Sequence, residues 1–113
     1  MISKELLSEV LELRSYIESI DESVDEKNIY YYSSYESYPA TQYSINIYEL
    51  SHKCKEWAIS KGWVLHEVRN LKEYIIYFSG DFREPSNDFR ADTEHEAIFQ
   101  ACEWILKEHH ATN

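Results

Sequence analysis

The side chains able to do chemistry in this chain are few, and their spacing argues against most of it. His52 and Cys54 form the stretch HKC, and His109 and His110 stand together near the C-terminus. A metal ion needs its ligands to converge, but positions i and i+2 of a helix point to different faces, so His52 and Cys54 make a poor pair. The adjacent histidines read as a solvated tail. A Cys–His nucleophile needs an exposed thiol of lowered pKa. Cys54 and Cys102 both fall on apolar helical stripes, where a thiol behaves as a small hydrophobe. Two glycines are too few for a phosphate-cradling loop, and G-x-S-x-G is absent. Carboxylates are plentiful, yet no spacing brings a particular pair together. The expectation is no catalysis, no metal and no cofactor.

What remains is tyrosine. Seven of the ten tyrosines lie between positions 30 and 48, five of them in NIYYYSSYESYP at 28–39. A domain of this size cannot bury seven, and Tyr35, Tyr38 and Tyr43 sit among Ser, Glu, Pro, Thr and Gln. A phenol ring gives large contact area at low rotamer cost, with a hydroxyl at its tip, and is enriched at protein interfaces. Two uses compete: a recognition surface, or a loop packed over a sheet edge. Stacking on single-stranded bases needs a cationic groove, and the only Lys or Arg between residues 15 and 52 is Lys27.

The charge selects the partner. Twenty-one acids against 11 bases leave −10 in 113 residues, which repels nucleic acid and anionic membranes and favours a basic protein surface. Residues 1–49 hold ten acids and three bases. Glu18, Asp21, Glu22, Asp25 and Glu26 run without an intervening base, and Glu36 lies within the tyrosine stretch. That run is either a solvated helix end and linker or part of a docking site.

The elements that must position these residues follow from periodicity. Leu6, Val10, Leu13, Ile17, Ile20 and Val24 step by four and three, and with Ser3 as N-cap they predict a helix over 3–20. NIYYYS predicts a strand at 28–32, with Ile29 and Tyr31 on one face and Tyr30 and Tyr32 on the other. SYESYPATQ reads as a loop through Pro39. Asn46 with Glu49 opens a second helix that Gly62 closes. GWVLHEV and EYIIYFS make an antiparallel hairpin turning at Asn70–Lys72, and FRA at 89–91 adds a short strand. Thr93 with Glu96 caps a final helix whose buried stripe is Ala97, Ile98, Ala101, Cys102 and Ile105. The 1–113 chain is one α+β domain of two layers: an antiparallel sheet of three to four strands with helices mainly on one face. It divides into the 3–20 helix, a 21–45 acidic, tyrosine-rich segment and a 46–109 core.

Over 47–106 that order resembles the α-β-β-β-α arrangement of a double-stranded-RNA-binding domain. That family clamps phosphates with lysines at the start of its last helix, whereas Asp92, Thr93, Glu94, His95 and Glu96 stand there, so RNA binding does not carry over. The acidic chain ending in TEHEAIFQACEWIL also resembles small uncharacterised phage and prophage proteins. This implies an accessory or counter-defence protein that binds a host protein, and no chemistry.

The functional expectation is a non-enzymatic module that docks on a basic protein, with nucleic-acid mimicry as its sharpest form. The contact falls to Tyr30, Tyr32, Tyr35, Tyr38 and Tyr43 with Glu18, Asp21, Glu22, Asp25, Glu26 and Glu36. The alternative is a small-molecule pocket lined by Tyr30, Tyr32, Trp63 and Tyr77; homodimer formation through the first helix or the tyrosine edge is a third. MISKELLSEV lacks a cationic-then-apolar order, and no window nears eighteen apolar residues, so a cytoplasmic protein with reduced thiols and no membrane contact is expected.

Overall fold

Ser3 begins the first helix as its composition suggests: its hydroxyl accepts from the Leu6 amide at 3.1 Å, and its own amide donates to Glu103 at 2.8 Å. The helix, α1, runs only Lys4–Val10. Glu12 then takes φ 55°. Its amide donates to Glu9 O at 3.2 Å and the Leu13 amide to Ser8 O at 3.0 Å, the paired bonds of a Schellman stop. The computed structural model describes residues 2–21, 26–34, 39–79 and 88–111, without the side chains of 79 and 109–111.

The remaining order is β1 (Tyr16–Asp21), β2 (Asn28–Ser34), β3 (Thr41–Asn46), α2 (Ile47–Ser60), β4 (Val64–Arg69), β5 (Tyr74–Ser79), β6 (Phe89–Ala91) and α3 (Glu94–Ala111). It is an α+β domain of two antiparallel three-stranded sheets, A (β1-β2-β3) and B (β4-β5-β6), with three helices. Its shortest dimension is 17 Å, about the thickness of two packed layers.

Two expectations are corrected here. The helix over 3–20 is a seven-residue helix followed by a strand. Thr41 and Gln42, expected at the end of a loop, open β3 instead. The consequence is a second sheet in place of one sheet of three or four strands. The heptad-like spacing of Ile17 and Ile20 has a different origin. Ile17 pairs with Ser33 and Ser19 with Tyr32, so Glu18 is the extra residue of a bulge. That insertion lets residues three apart share one face of a strand.

α2 is capped by Asn46, whose side chain accepts from the Tyr48 and Glu49 amides. The Ile47 amide donates to Lys27 O at 2.8 Å, tying the start of α2 to the start of β2. α2 ends in a second Schellman stop with Gly62 at φ 91°. Asn70 closes the β4–β5 hairpin by accepting from the Lys72 and Glu73 amides, each at 2.8 Å. The core joins Leu6, Leu7 and Val10 of α1 to Ile17, Ile29 and Ile45 of sheet A and to the α2 and α3 stripes. On the inner face of sheet B, Trp63, Phe78, Phe89 and Trp104 pack ring to ring at 4.9–6.4 Å between centroids. Cys54 and Cys102 are buried free thiols on facing helices, and Cys102 Sγ donates to Cys54 O at 3.6 Å. Its bond to Cys54, together with burial, pushes the Cys102 thiol far up.

The two helix stops make opposite predictions. Glu12 holds a left-handed conformation that costs an L-residue about 1–2 kcal/mol. Glu12→Gly should therefore raise the urea-unfolding free energy by about 1 kcal/mol, after the entropy glycine adds to the unfolded chain. Gly62→Ala should lower it by about 1 kcal/mol, although nothing lies within 4 Å of the added Cβ. Destabilisation by Glu12→Gly would contradict the α1 stop.

Candidate functional site

The pleat of sheet A sorts its side chains. Ile17, Ile20, Ile29, Tyr31, Ser33, Tyr43 and Ile45 share the inner face, as their cross-strand partners require. The outer face carries three tyrosines set among small or polar neighbours. Tyr30 lies between Asp21 and Ser44, Tyr32 between Ser19 and Gln42, and Tyr16 beside Ser34. Tyr16 is 67% exposed and Tyr32 37%. Gln42 Nε2 donates to Tyr32 Oη at 3.2 Å, which orients that ring's hydroxyl. No large side chain on this face stands between the rings. Its strands hold the carboxylates Glu18 and Asp21 and no Lys, Arg or His.

The inner-face tyrosines do a different job. Tyr31 is 8% exposed and stacks on Tyr43 at 5.6 Å, rings 22° apart. Burial and the neighbouring Tyr43 hydroxyl raise the Tyr31 pKa above its ordinary value. Tyr43, on the edge strand, stays 49% exposed. Of the residues expected to meet a partner, Tyr30 and Tyr32 share the outer face with Asp21. Glu18 is exposed in the bulge and Glu26 is exposed before β2. Tyr43 sits on the opposite face. Tyr35, Glu36, Tyr38, Glu22 and Asp25 lie outside the described residues. Tyr16 is the addition: inside a helix it has no reason to join the others, and only the conversion of residues 16–21 to a strand puts it there.

The aromatic pocket expected as the alternative is not assembled. Trp63 is buried in the core, Tyr30 and Tyr32 face outward on sheet A, and Tyr77 belongs to the outer face of sheet B. That second face went unanticipated. Val64, Val68 and Tyr77 are exposed there, with His66 stacked on Tyr77 at 5.3 Å. The alternation of VLHEV signals it.

His52 and Cys54 diverge as their spacing demands. His52 pairs with exposed Glu56 at 3.0 Å, while Cys54 is fully buried. Among the described residues, no three His, Cys, Asp or Glu side chains group to hold a metal, and no helix is long and apolar enough to cross a membrane. A cleft of about 380 Å³ opens between α2 and the start of α3, lined by Tyr48, His52, Lys55, Tyr74, Glu94 and His95. Lys55 Nζ meets Glu94 Oε1 there at 3.3 Å. Nearby, partial burial and the hydrogen-bonded Glu94 raise the Glu67 carboxyl above its ordinary value, against the pull of Lys55 and Arg69.

The Glu67 shift has a signed consequence. Because folding raises this pKa, the group's stabilising contribution is full below its unfolded value near 4.5 and is lost as pH rises through the folded value. Glu67→Gln should therefore unfold at higher temperature than the parent at pH 7 and at the same temperature near pH 3. A Gln variant less stable at pH 7 would show that the two carboxylates do not oppose each other.

Comparison with protein-family models, with curated proteins and with solved structures finds no match.

Proposed function

We propose that this protein is a non-enzymatic binding module that docks on a basic protein surface through the outer face of sheet A. One observation carries the reading: Tyr16 and Tyr32 are exposed and Tyr30 half-buried on the outer face of a sheet whose strands contain two carboxylates and no base. An exposed tyrosine cluster is unfavourable surface for a chain with no partner, and burying aromatic anchors supplies most of the energy in many interfaces. Glu18 and Asp21 on β1 add selectivity and speed of encounter rather than depth of binding. The resemblance to phage accessory proteins makes a bacterial host protein the natural partner, and mimicry of a nucleic acid is the narrower form of the same reading.

The test immobilises the protein and passes nuclease-treated bacterial lysate over it at low and at high salt. A specific protein should be retained at low salt and shed at high salt, where screening removes the attraction. Tyr16→Ala/Tyr32→Ala should weaken that retention by roughly thirtyfold or more, as loss of two aromatic anchors does. Val64→Ala/Val68→Ala, on sheet B, should leave it intact. Retention that survives the tyrosine pair and fails with the valine pair would move the interface to sheet B.

A further inference from the structure

Each sheet edge is a row of unpaired backbone donors and acceptors, and proteins guard such rows against stray strands. Three of the four edges here are guarded. β1 carries the bulge at Glu18 and two carboxylates. β4 turns Glu67 and Arg69 to the inner face, opposite Ile76 and Tyr74. β6 is three residues long, and its Arg90 is held by Glu73 at 2.9 Å and Asp88 at 3.5 Å.

β3 has none of these devices. Thr41–Asn46 contains no charge, proline or glycine, and its six residues pair with β2 in unbroken register. Thr41, Gln42, Tyr43 and Ser44 are all exposed, and among the described residues no strand pairs with β3 on its far side. Aromatic surface lies on both faces of this edge. Tyr43 stands half-exposed on the inner face against Tyr31, and Tyr30 and Tyr32 lie one strand behind on the outer face.

We propose that the β3 edge takes up an extended, Lys- or Arg-bearing segment of the partner as a fourth strand of sheet A. This rests on the docking reading above and deepens it, by naming the form of the ligand. Backbone pairing supplies the register-fixing contacts, and alternate side chains of the incoming strand reach the tyrosines on either face. Charge chooses the occupant. β3 itself is uncharged and Glu18 and Asp21 lie two strands away, so the choice rests on the whole chain: a second copy would set −10 against −10. A basic segment meets the opposite field.

The test uses two probe peptides of equal charge, (Lys-Val)4 and (Lys-Pro-Pro)4; consecutive prolines remove amides on both sides of the strand and hold the chain as polyproline II, so no ladder forms. (Lys-Val)4 should bind at least about tenfold more tightly, the worth of two or three net backbone hydrogen bonds. It should also slow hydrogen exchange at alternate amides of Thr41–Ser44. Tyr30→Ala/Tyr32→Ala, the rings one strand behind the edge, should weaken (Lys-Val)4 binding while the free protein stays folded by circular dichroism. Suppose instead both peptides bind equally, the tyrosine variant weakens both, and the β3 amides exchange unchanged. Then strand addition is wrong while docking on the tyrosine face stands. If neither peptide binds, the basic-partner reading falls and takes strand addition with it. Slowed β3 exchange that depends on protein concentration and not on peptide would identify a second copy as the occupant.

Discussion

Between Val10 and Tyr16 the backbone reverses from α1 into β1 through a left-handed glutamate, and sheet A depends on that reversal. The conformation of Glu12 costs about 1–2 kcal/mol. Full burial of Leu6 and Leu7 contributes about 2–3 kcal/mol each, and Ile17 is buried only if β1 lies beside β2. Packing therefore outweighs local strain. Were the helix to continue to Ile20, β2 and β3 would form a two-stranded ribbon, which is marginal in water. Tyr16 and the carboxylate of Asp21 would also leave the tyrosine face.

The same constraint explains how tyrosine serves two ends in one sheet. With β1 and β3 on either side, β2 is the central strand, and the period of two sends Tyr31 inward and Tyr30 and Tyr32 outward. Tyr31 then behaves as a core residue, stacked and nearly inaccessible. The outward rings stand among Asn28, Ser19, Ser44, Gln42 and Asp21, and Tyr16 and Tyr32 remain exposed. The face is aromatic and uncharged at its centre with carboxylates toward β1, the arrangement of an interface that takes its affinity from ring burial and its choice of partner from charge.

Much of the fold was legible. The Asn46 cap, the Gly62 stop, the hairpin turn at Asn70 and the stripes of α2 and α3 are local signals, and local bonds realise them. The sorting of Tyr30 and Tyr32 from Tyr31 needed only the pleat. The end of α1 was illegible because its stop uses glutamate where glycine is the usual signal. The bulge at Glu18 compounded this: it gives Ile17 and Ile20 the three-residue spacing of a helix while they occupy a strand. Membership of Tyr16 in the site was hidden by the same two residues. β3 escaped notice because Thr41–Ser44 is exposed on both faces and shows no hydrophobic alternation.

The most direct measurement is nitration of the native protein by tetranitromethane, with the modified tyrosines located by mass spectrometry. Sheet A as described requires Tyr16 and Tyr32 to react early and Tyr31, packed against Tyr43, to react only on unfolding. Reaction of Tyr31 at the rate of Tyr16 would mean that the pleat does not divide the tyrosines into a packed set and a presented set, and the docking face would be lost with it.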